Sequence, residues 1–250
     1  MIASLMMYAR PELEGPHRRY WTLIRQALAD RGIAAPEALS DGAAPFSVWQ
    51  SPDLVFSQTC GMPFRTRLQG TVQLVGTPDY GLEGCPPGYY RSAIVIRADD
   101  PRTELTDFRD ARFAFNERLS QSGFAAPHAL AQAHGFWFAD RVQSHGHAMS
   151  ARMVAEGGAD IAALDAMTWR LIDRYDRCAA DLRVLAWTPP TPGLPYITGP
   201  VQDAAAVADA VRSAIAALEP EDRNALCLRG LVAIPEADYL AVPNPPPEAG

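Results

Sequence analysis

The sequence predicts an α/β protein of two lobes, in which each lobe is a mixed sheet flanked by helices and two crossover strands join the lobes. Short apolar runs alternate with segments of helical periodicity along the 250 residues, and this alternation is typical of sheets covered by helices. Two proline-containing breaks, at residues 99–101 and 188–195, interrupt it. We therefore expect a central lobe over residues 98–187 and a discontinuous lobe that contains both chain ends, residues 1–97 and 188–250.

The elements before the first break belong to the discontinuous lobe. An apolar run over residues 2–8 predicts the first strand. A helix that stops at Gly32 follows it, because apolar residues recur on one helical face at Tyr20, Trp21, Ile24, Ala27 and Leu28. Further strands are predicted over residues 53–56, 71–75 and 90–97.

The central lobe repeats the alternation of strands and helices. Strands are predicted over residues 112–115, 159–164 and 182–187, and helices over residues 122–133 and 147–156 and from the second of these strands through Tyr175. After the second break, one helix face is indicated by the spacing of Val207, Val211, Ile215 and Leu218. The proline-rich tail that ends the chain is expected to be loose.

Composition narrows the possible partners. The formal net charge of −7 and the absence of a basic stripe disfavour nucleic acid and acidic membrane surfaces. All 22 basic residues are arginine, which excludes a lysine Schiff base and a phosphate-binding loop of the NTPase type. No apolar run approaches the length that spans a bilayer. We therefore expect neither a nucleic-acid partner nor a membrane span.

The N-terminal residues lack the basic region that precedes the apolar part of a secretory signal. The sequence as printed therefore predicts a cytoplasmic protein, or a periplasmic one if a leader precedes it. The cysteines show no spacing typical of a zinc site, so ordinary thiols are expected, with a Cys60–Cys85 disulfide as the alternative. No cofactor, metal site or catalytic signature is predicted.

Residues 116–127 carry the strongest indication of a binding site. They follow a predicted strand and open a helix, and they contain the run Ser120, Gln121, Ser122, Gly123. Such a helix start favours an anion, since its unpaired N–H groups and positive dipole end attract negative charge. Plain N-capping by Ser120 or Ser122 is the alternative.

A second stretch, over residues 144–169, has a small-residue turn, His147 at a helix start, a Gly-x-Ala-Asp run, an apolar strand and then Asp165. Together with Ser-x-Ser-Gly-aromatic-x-x-Pro over residues 120–127, it resembles the phosphate/phosphonate-type substrate-binding proteins of ABC transporters, which have the type II periplasmic-binding-protein fold. The resemblance implies anion contacts from the Ser120–Ser122 loop and from His147, with Asp165 at a strand end that faces a cleft. Gln121 and His145 depart from the family pattern, which leaves the anion unidentified.

Other contacts follow from position in this architecture. The small-residue turn adds Ser144, and the discontinuous lobe offers Tyr8, Gln58 and Thr59 at the ends of its predicted strands. The role of His147 stays open between an anion contact, a metal ligand together with His145, and a surface residue. Asp165 is either a ligand group or a helix N-cap.

The segment Tyr89-Tyr90-Arg91 and Trp187 are weaker candidates. A strand entry rich in tyrosine is more typical of a core or an interface than of a cleft wall or a charge partner. Trp187 lies beside the second break, where it either lines a cleft or closes a hinge.

The resemblance implies that a monomer captures a phosphonate, phosphate or similar oxyanion between its lobes and delivers it to an ABC permease. Two alternatives remain. One is a cytoplasmic enzyme on the same scaffold, similar to enzymes of menaquinone or thiamine-pyrimidine biosynthesis, with His147 or Asp165 as base. The other is a sensor domain that reports its ligand to a partner.

Overall fold

The computed structural model describes residues 1–247 and confirms the predicted α/β class. The strands are β1 Ile2–Ser4, β2 Leu54–Gln58, β3 Gln73–Asp79, β4 Tyr89–Tyr90, β5 Ser92–Arg97, β6 Phe113–Phe115, β7 Arg141–Gln143, β8 Ile161–Asp165, β9 Leu182–Trp187, β10 Thr191–Pro192, β11 Tyr196–Thr198 and β12 Gly230–Val232. The α-helices are α1 Glu14–Ala29, α2 Pro45–Trp49, α3 Gly61–Pro63, α4 Ala126–Ala133, α5 His147–Ala155, α6 Ala166–Tyr175, α7 Ala204–Ala217, α8 Pro220–Ala225 and α9 Glu236–Leu240. Turns of π-helix cover Phe64–Leu68 and Gln121–Ala125, and 3-10 turns cover Met6–Tyr8, Pro11–Leu13, Leu105–Phe108 and Arg177–Asp181.

The chain divides into two compact units. The first contains Met1–Tyr89 and Pro192–Leu240, and the second contains Tyr90–Thr191 together with residues 241–247. The chain passes from one unit to the other at β4 and at β10, and these two short strands form a sheet of their own.

The first unit is built on a five-stranded mixed sheet in the order β1-β2-β11-β3-β12. β1 and β2 are parallel, whereas β11 is antiparallel to both β2 and β3. Side chains of neighbouring residues point to opposite faces of a strand, so Tyr196 and Ile197 of β11 enter different hydrophobic clusters. Helices α1 and α7 cover one face, and α2, the Phe64–Leu68 turn and α9 contribute to the cluster on the other.

The second unit has a five-stranded mixed sheet in the order β7-β6-β8-β5-β9. β6 runs parallel to β7 and β8, and β5 is antiparallel to β8 and β9. Along β5, Ile94 and Ile96 pack with the Phe-rich cluster below α4, and Ala93 and Val95 pack with residues of α5 and α6. Because both faces are covered, the edge formed by the ends of β6 and β8 is the place where polar side chains collect.

The structure corrects the predicted lobe boundaries. Residues 92–97 were assigned to the discontinuous lobe, but β5 is an interior strand of the second unit's sheet, paired on both sides. The proline-containing break at residues 99–101 is a turn within that unit, where Ala98 donates to the Asp181 carbonyl over 2.8 Å. The crossings lie instead at residues 89–90 and 191–192, and residues 241–247 group with the second unit.

The first strand is shorter than its apolar run predicts, because a side chain draws the backbone out of the ladder. Asp41 Oδ1 accepts hydrogen bonds from the Ser4 hydroxyl and from the Leu5 N–H, each over 2.7 Å. The chain then turns into a 3-10 helix that ends at Tyr8. Tyr8 is therefore a buried helical residue and not the end of a strand.

The Cys60–Cys85 alternative is also wrong. Within residues 1–247 no disulfide forms: Cys60 is buried beside the start of α3, and Cys85 lies in the loop between β3 and β4.

Candidate functional site

The Ser120–Ser122 loop follows β6 and runs into a continuous helical segment, the Gln121–Ala125 turn and then α4. Ser120 caps this segment: its hydroxyl accepts from the Gly123 N–H over 2.9 Å, and its carbonyl accepts from Phe124 and Ala125. The N-capping alternative is thus correct for Ser120. Among the residues described, the N–H of Ser122 meets no protein acceptor, as expected for a first-turn amide.

Ser122 connects three elements of the second unit. Its hydroxyl lies 3.0 Å from Nε2 of His147 at the start of α5. Its carbonyl accepts from the Ser92 hydroxyl at the start of β5 over 2.9 Å. The Ser92 N–H in turn donates to the Thr188 hydroxyl over 2.9 Å, so the loop is fixed from the sheet side as well.

His147 is a half-buried residue whose ring Nδ1 is inaccessible to solvent. Burial lowers the pKa of His147 to about 4, and a hydrogen bond to the Ala163 backbone opposes this shift in part, although Nδ1 has no partner at full hydrogen-bond geometry. The imidazole is therefore neutral at neutral pH. Depending on the tautomer, Nε2 either accepts a hydrogen bond from the Ser122 hydroxyl or donates one to its oxygen. The surface-residue alternative for His147 is wrong.

Asn116 and Gly123 complete this cluster and were not predicted as site residues. Asn116 follows β6, and its Oδ1 is buried without a hydrogen-bond donor. A Cβ at Gly123 would overlap Asn116 Oδ1 and lie 3.1 Å from His147 Cε1, so only glycine fits between them. The sequence signal for Asn116 was its position directly after a predicted strand, as for the other polar residues of the site.

Asp165 ends β8 and caps α6. Its Oδ1 accepts from the Met167 N–H over 2.7 Å and from the Thr168 N–H over 3.0 Å, and the residue is buried. Asp165 is paired with Ser92 in the β5–β8 ladder, which places it at the same end of the sheet as the Ser122 loop. The N-cap alternative for Asp165 is therefore correct, and a ligand contact remains a proposal.

Ser144 and His145 precede α5 and do not share the environment of His147. The Ser144 hydroxyl lies 2.6 Å from that of Ser150 and also donates toward the Phe115 and Gly146 carbonyls, which favours a supporting role. His145 is exposed and lies 3.4 Å from Glu117. Within residues 1–247 no group of three or more metal-ligating side chains occurs, and no helix is long and apolar enough to cross a membrane.

The predicted contacts of the first unit form a separate polar and aromatic group. Gln58 is the last residue of β2, and not a loop residue after it; its Nε2 donates to the Tyr80 hydroxyl over 3.2 Å and to the Leu194 carbonyl over 3.1 Å. The Tyr8 and Tyr80 rings meet edge to face at 5.2 Å. Thr59 is fully buried, and its N–H donates to the Pro195 carbonyl. The Gln58 amide donors are thus already engaged within the unit.

Solved structures of similar fold include three from bacteria. PhnD1 from Prochlorococcus marinus, in complex with methylphosphonate, has a TM-score of 0.73 at 13% identity, over 96% of this chain and 94% of that chain. A binding-protein component of an ABC phosphonate transporter from Pseudomonas aeruginosa has a TM-score of 0.69 at 14% identity, over 96% and 82% of the two chains. XAC2383 from Xanthomonas citri, bound to chloride, has a TM-score of 0.68 at 15% identity, over 95% and 92%. These similarities confirm the predicted periplasmic-binding-protein fold.

No curated protein matches the chain in sequence. A family model does match, over residues 53–239, which include the Ser122 loop, His147 and Asp165. Its description is the periplasmic substrate-binding protein of phosphonate ABC transporters. Since the match covers most of the chain, the protein belongs to the family of phosphonate-type periplasmic substrate-binding proteins of ABC transporters.

Proposed function

We propose that this protein binds a phosphonate or a closely similar oxyanion through the Ser122 loop, His147 and the start of α5, and presents it to an ABC permease in the periplasm. The observation that carries the proposal is the Ser122 N–H, which has no protein acceptor within residues 1–247 and lies beside the hydroxyl joined to His147. A backbone N–H, a hydroxyl and an imidazole N–H are donors suited to tetrahedral oxyanions.

The acidic net charge does not oppose this assignment. Hydrogen bonds from neutral donors at a helix start act at contact distance, where the local field outweighs the charge of the rest of the molecule. Because the sequence has no lysine, hydrogen bonds to the anion must come from backbone N–H groups, neutral side chains and arginine.

One observation favours hydrolysis as a second candidate function, since a serine hydroxyl 3.0 Å from an imidazole is also the geometry of a nucleophile and its base. Two features of this pair weaken that reading. A pKa of about 4 makes His147 a weak base at neutral pH, and its Nδ1 has no carboxylate partner to orient it. We therefore propose binding without turnover, which phosphorus NMR of the protein incubated with the bound ligand would check.

The direct test is a thermal-shift screen followed by calorimetric titration. We expect methylphosphonate, other alkylphosphonates or phosphate to raise the melting temperature, because a ligand that binds only the folded state stabilises it. Sodium chloride at the same ionic strength is the control for general salt effects. A panel in which no phosphonate or phosphate raises the melting temperature would overturn the proposed ligand class.

The site itself is tested by Ser122→Ala. We expect the affinity for the best anion of the screen to fall about tenfold, equivalent to about 1.4 kcal/mol, because the hydroxyl that faces His147 is lost while the Ser120 cap stays intact. Ser213→Ala in α7, whose exposed hydroxyl donates to the Asp209 carbonyl and accepts from the Arg31 guanidinium, is the matched control. Equal affinities of the two variants would move the site away from this loop.

The periplasmic location is tested separately, by fractionation of cells that express the full natural gene. Recovery of the protein in the periplasmic fraction is expected, and recovery in the cytoplasm alone would favour the enzyme or sensor alternative.

A further inference from the structure

Arg91 is a cation without a carboxylate partner, and it directly precedes Ser92 of the cluster described above. Within residues 1–247 no Asp or Glu oxygen lies within ion-pair distance of its guanidinium, and its Nε is buried without an acceptor. A buried donor that lacks an acceptor is destabilising, so it is rare unless something else fills the position. In the same unit Arg97 pairs with Asp99, Arg102 with Asp100, and Arg112 with Asp140.

The guanidinium of Arg91 is held in place by Trp187. Its central carbon lies 4.2 Å from the centre of the indole, in a cation–π stack. Stacking uses one face of the guanidinium and leaves its N–H groups directed outward in its own plane. The N–H groups of its two terminal nitrogens can donate to two oxygens of one acid group.

The backbone of Arg91 adjoins two elements of the proposed site. Arg91 directly precedes Ser92, whose hydroxyl donates to the Ser122 carbonyl over 2.9 Å. The Arg91 carbonyl accepts from the Ala166 N–H over 3.0 Å, one residue after Asp165.

We propose that Arg91, presented by Trp187, binds a second acid group of the ligand, so that the preferred substrates are phosphonates with a carboxylate or other anionic substituent. This inference rests on the proposed function and adds the substrate class. The Ser122 loop would bind the phosphonate group through neutral donors, and the Arg91 fork would bind the substituent.

The test compares phosphonoacetate with phosphonoacetamide by calorimetry. The two ligands have nearly the same shape, but the amide lacks the second negative charge. We expect the natural protein to bind phosphonoacetate more than about tenfold tighter than phosphonoacetamide. The reason is that the carboxylate would pair with the Arg91 guanidinium in a partly desolvated position. Equal affinities would overturn the inference, whether or not any variant folds.

Variants then assign the preference to the residue. In Arg91→Gln we expect the phosphonoacetate affinity to fall at least about tenfold and the methylphosphonate affinity to fall by no more than about threefold. Arg91→Lys keeps the charge without the fork and should be intermediate. Arg109→Gln, which removes an exposed arginine of the same unit, is the charge-matched control.

The outcomes separate the two proposals. If no phosphonate binds the natural protein, the proposed function fails. If methylphosphonate binds and Arg91→Gln weakens it as much as it weakens phosphonoacetate, the proposed function stands and the assignment of Arg91 to a second acid group fails.

Discussion

Ser122 and His147 come from segments 25 residues apart in the chain, yet their side chains meet at 3.0 Å. Ser122 was singled out because its loop follows a predicted strand and opens a helix, and His147 because the family resemblance places it at a helix start. Ser92 and Asn116, which belong to the same cluster, were not predicted as site residues. Their contribution depends on the pairing of β5 with β8 and on the fit of Gly123 against Asn116, and both arise only in the folded chain.

His147 is expected to make stability depend on pH. Its pKa is about 4 in the folded protein against 6.5 in an unfolded chain, so between these values the unfolded state binds more protons and stability rises with pH. Above neutral pH, His147 has no such effect on the free energy of unfolding. Below pH 4, it lowers that free energy by about 3 kcal/mol.

Urea unfolding between pH 4.5 and 7.5 measures this effect. In His147→Asn the free energy of unfolding should depend less steeply on pH than in the natural protein. His128→Asn is the control: burial also lowers the pKa of His128, but that side chain is more accessible, and the change should be smaller. Parallel curves for the natural protein and His147→Asn would contradict the expectation.

The N-caps of α6 and α7 have the same hydrogen-bond pattern but differ in burial. Asp165 and Asp203 each accept hydrogen bonds from two first-turn amides, but Asp165 is buried at the proposed site, whereas the bonds of Asp203 are exposed. We expect Asp165→Ala and Asp203→Ala each to cost about 1 kcal/mol of folding stability, with the larger loss at Asp165.

Only the Asp165 change should also weaken anion binding, because α6 begins beside the Arg91 carbonyl and the Ser122 loop. Chemical unfolding and calorimetry on both variants make the comparison. A loss of affinity in Asp203→Ala equal to that in Asp165→Ala would show that the effect is a general consequence of lower stability.

Periodicity was a good guide to whole elements and a poor guide to their ends. Residues 182–187 form β9 as predicted, and α5 begins at His147 as predicted. The first strand ends early because Asp41, 37 residues from Ser4, accepts hydrogen bonds from the Ser4 hydroxyl and the Leu5 N–H. The π-helical turn at Gln121–Ala125 was also missed, since its widened geometry depends on two successive amides sharing the Ser120 carbonyl.

The arrangement of the chain in the two units was the hardest feature to predict. A break that contains proline was interpreted as a crossing between lobes at residues 99–101, although it is a turn inside one sheet. Local sequence cannot distinguish these cases, because β5 is assigned by its partners β8 and β9 and not by its own residues.

The sheet of the second unit is formed by one contiguous segment, and this leads to a prediction about folding. Its five strands and both hydrophobic clusters come from residues 90–191, whereas the first unit's sheet needs β11 and β12 from beyond residue 191. We expect a fragment of residues 90–191 to fold cooperatively and a fragment of residues 1–89 not to. Circular dichroism during thermal unfolding would test both, and a cooperative transition in the shorter fragment would contradict the argument.

The stack of Arg91 on Trp187 has an optical consequence. Trp187 is 36% exposed, and Trp21 and Trp49 are buried, so a collisional quencher in solution should reach this indole far more readily than those two. A cation against the ring perturbs its excited state, and an anion that draws the guanidinium toward itself changes that perturbation. The emission of Trp187 would then report occupancy of the neighbouring site, and the protein would signal its ligand without any attached dye.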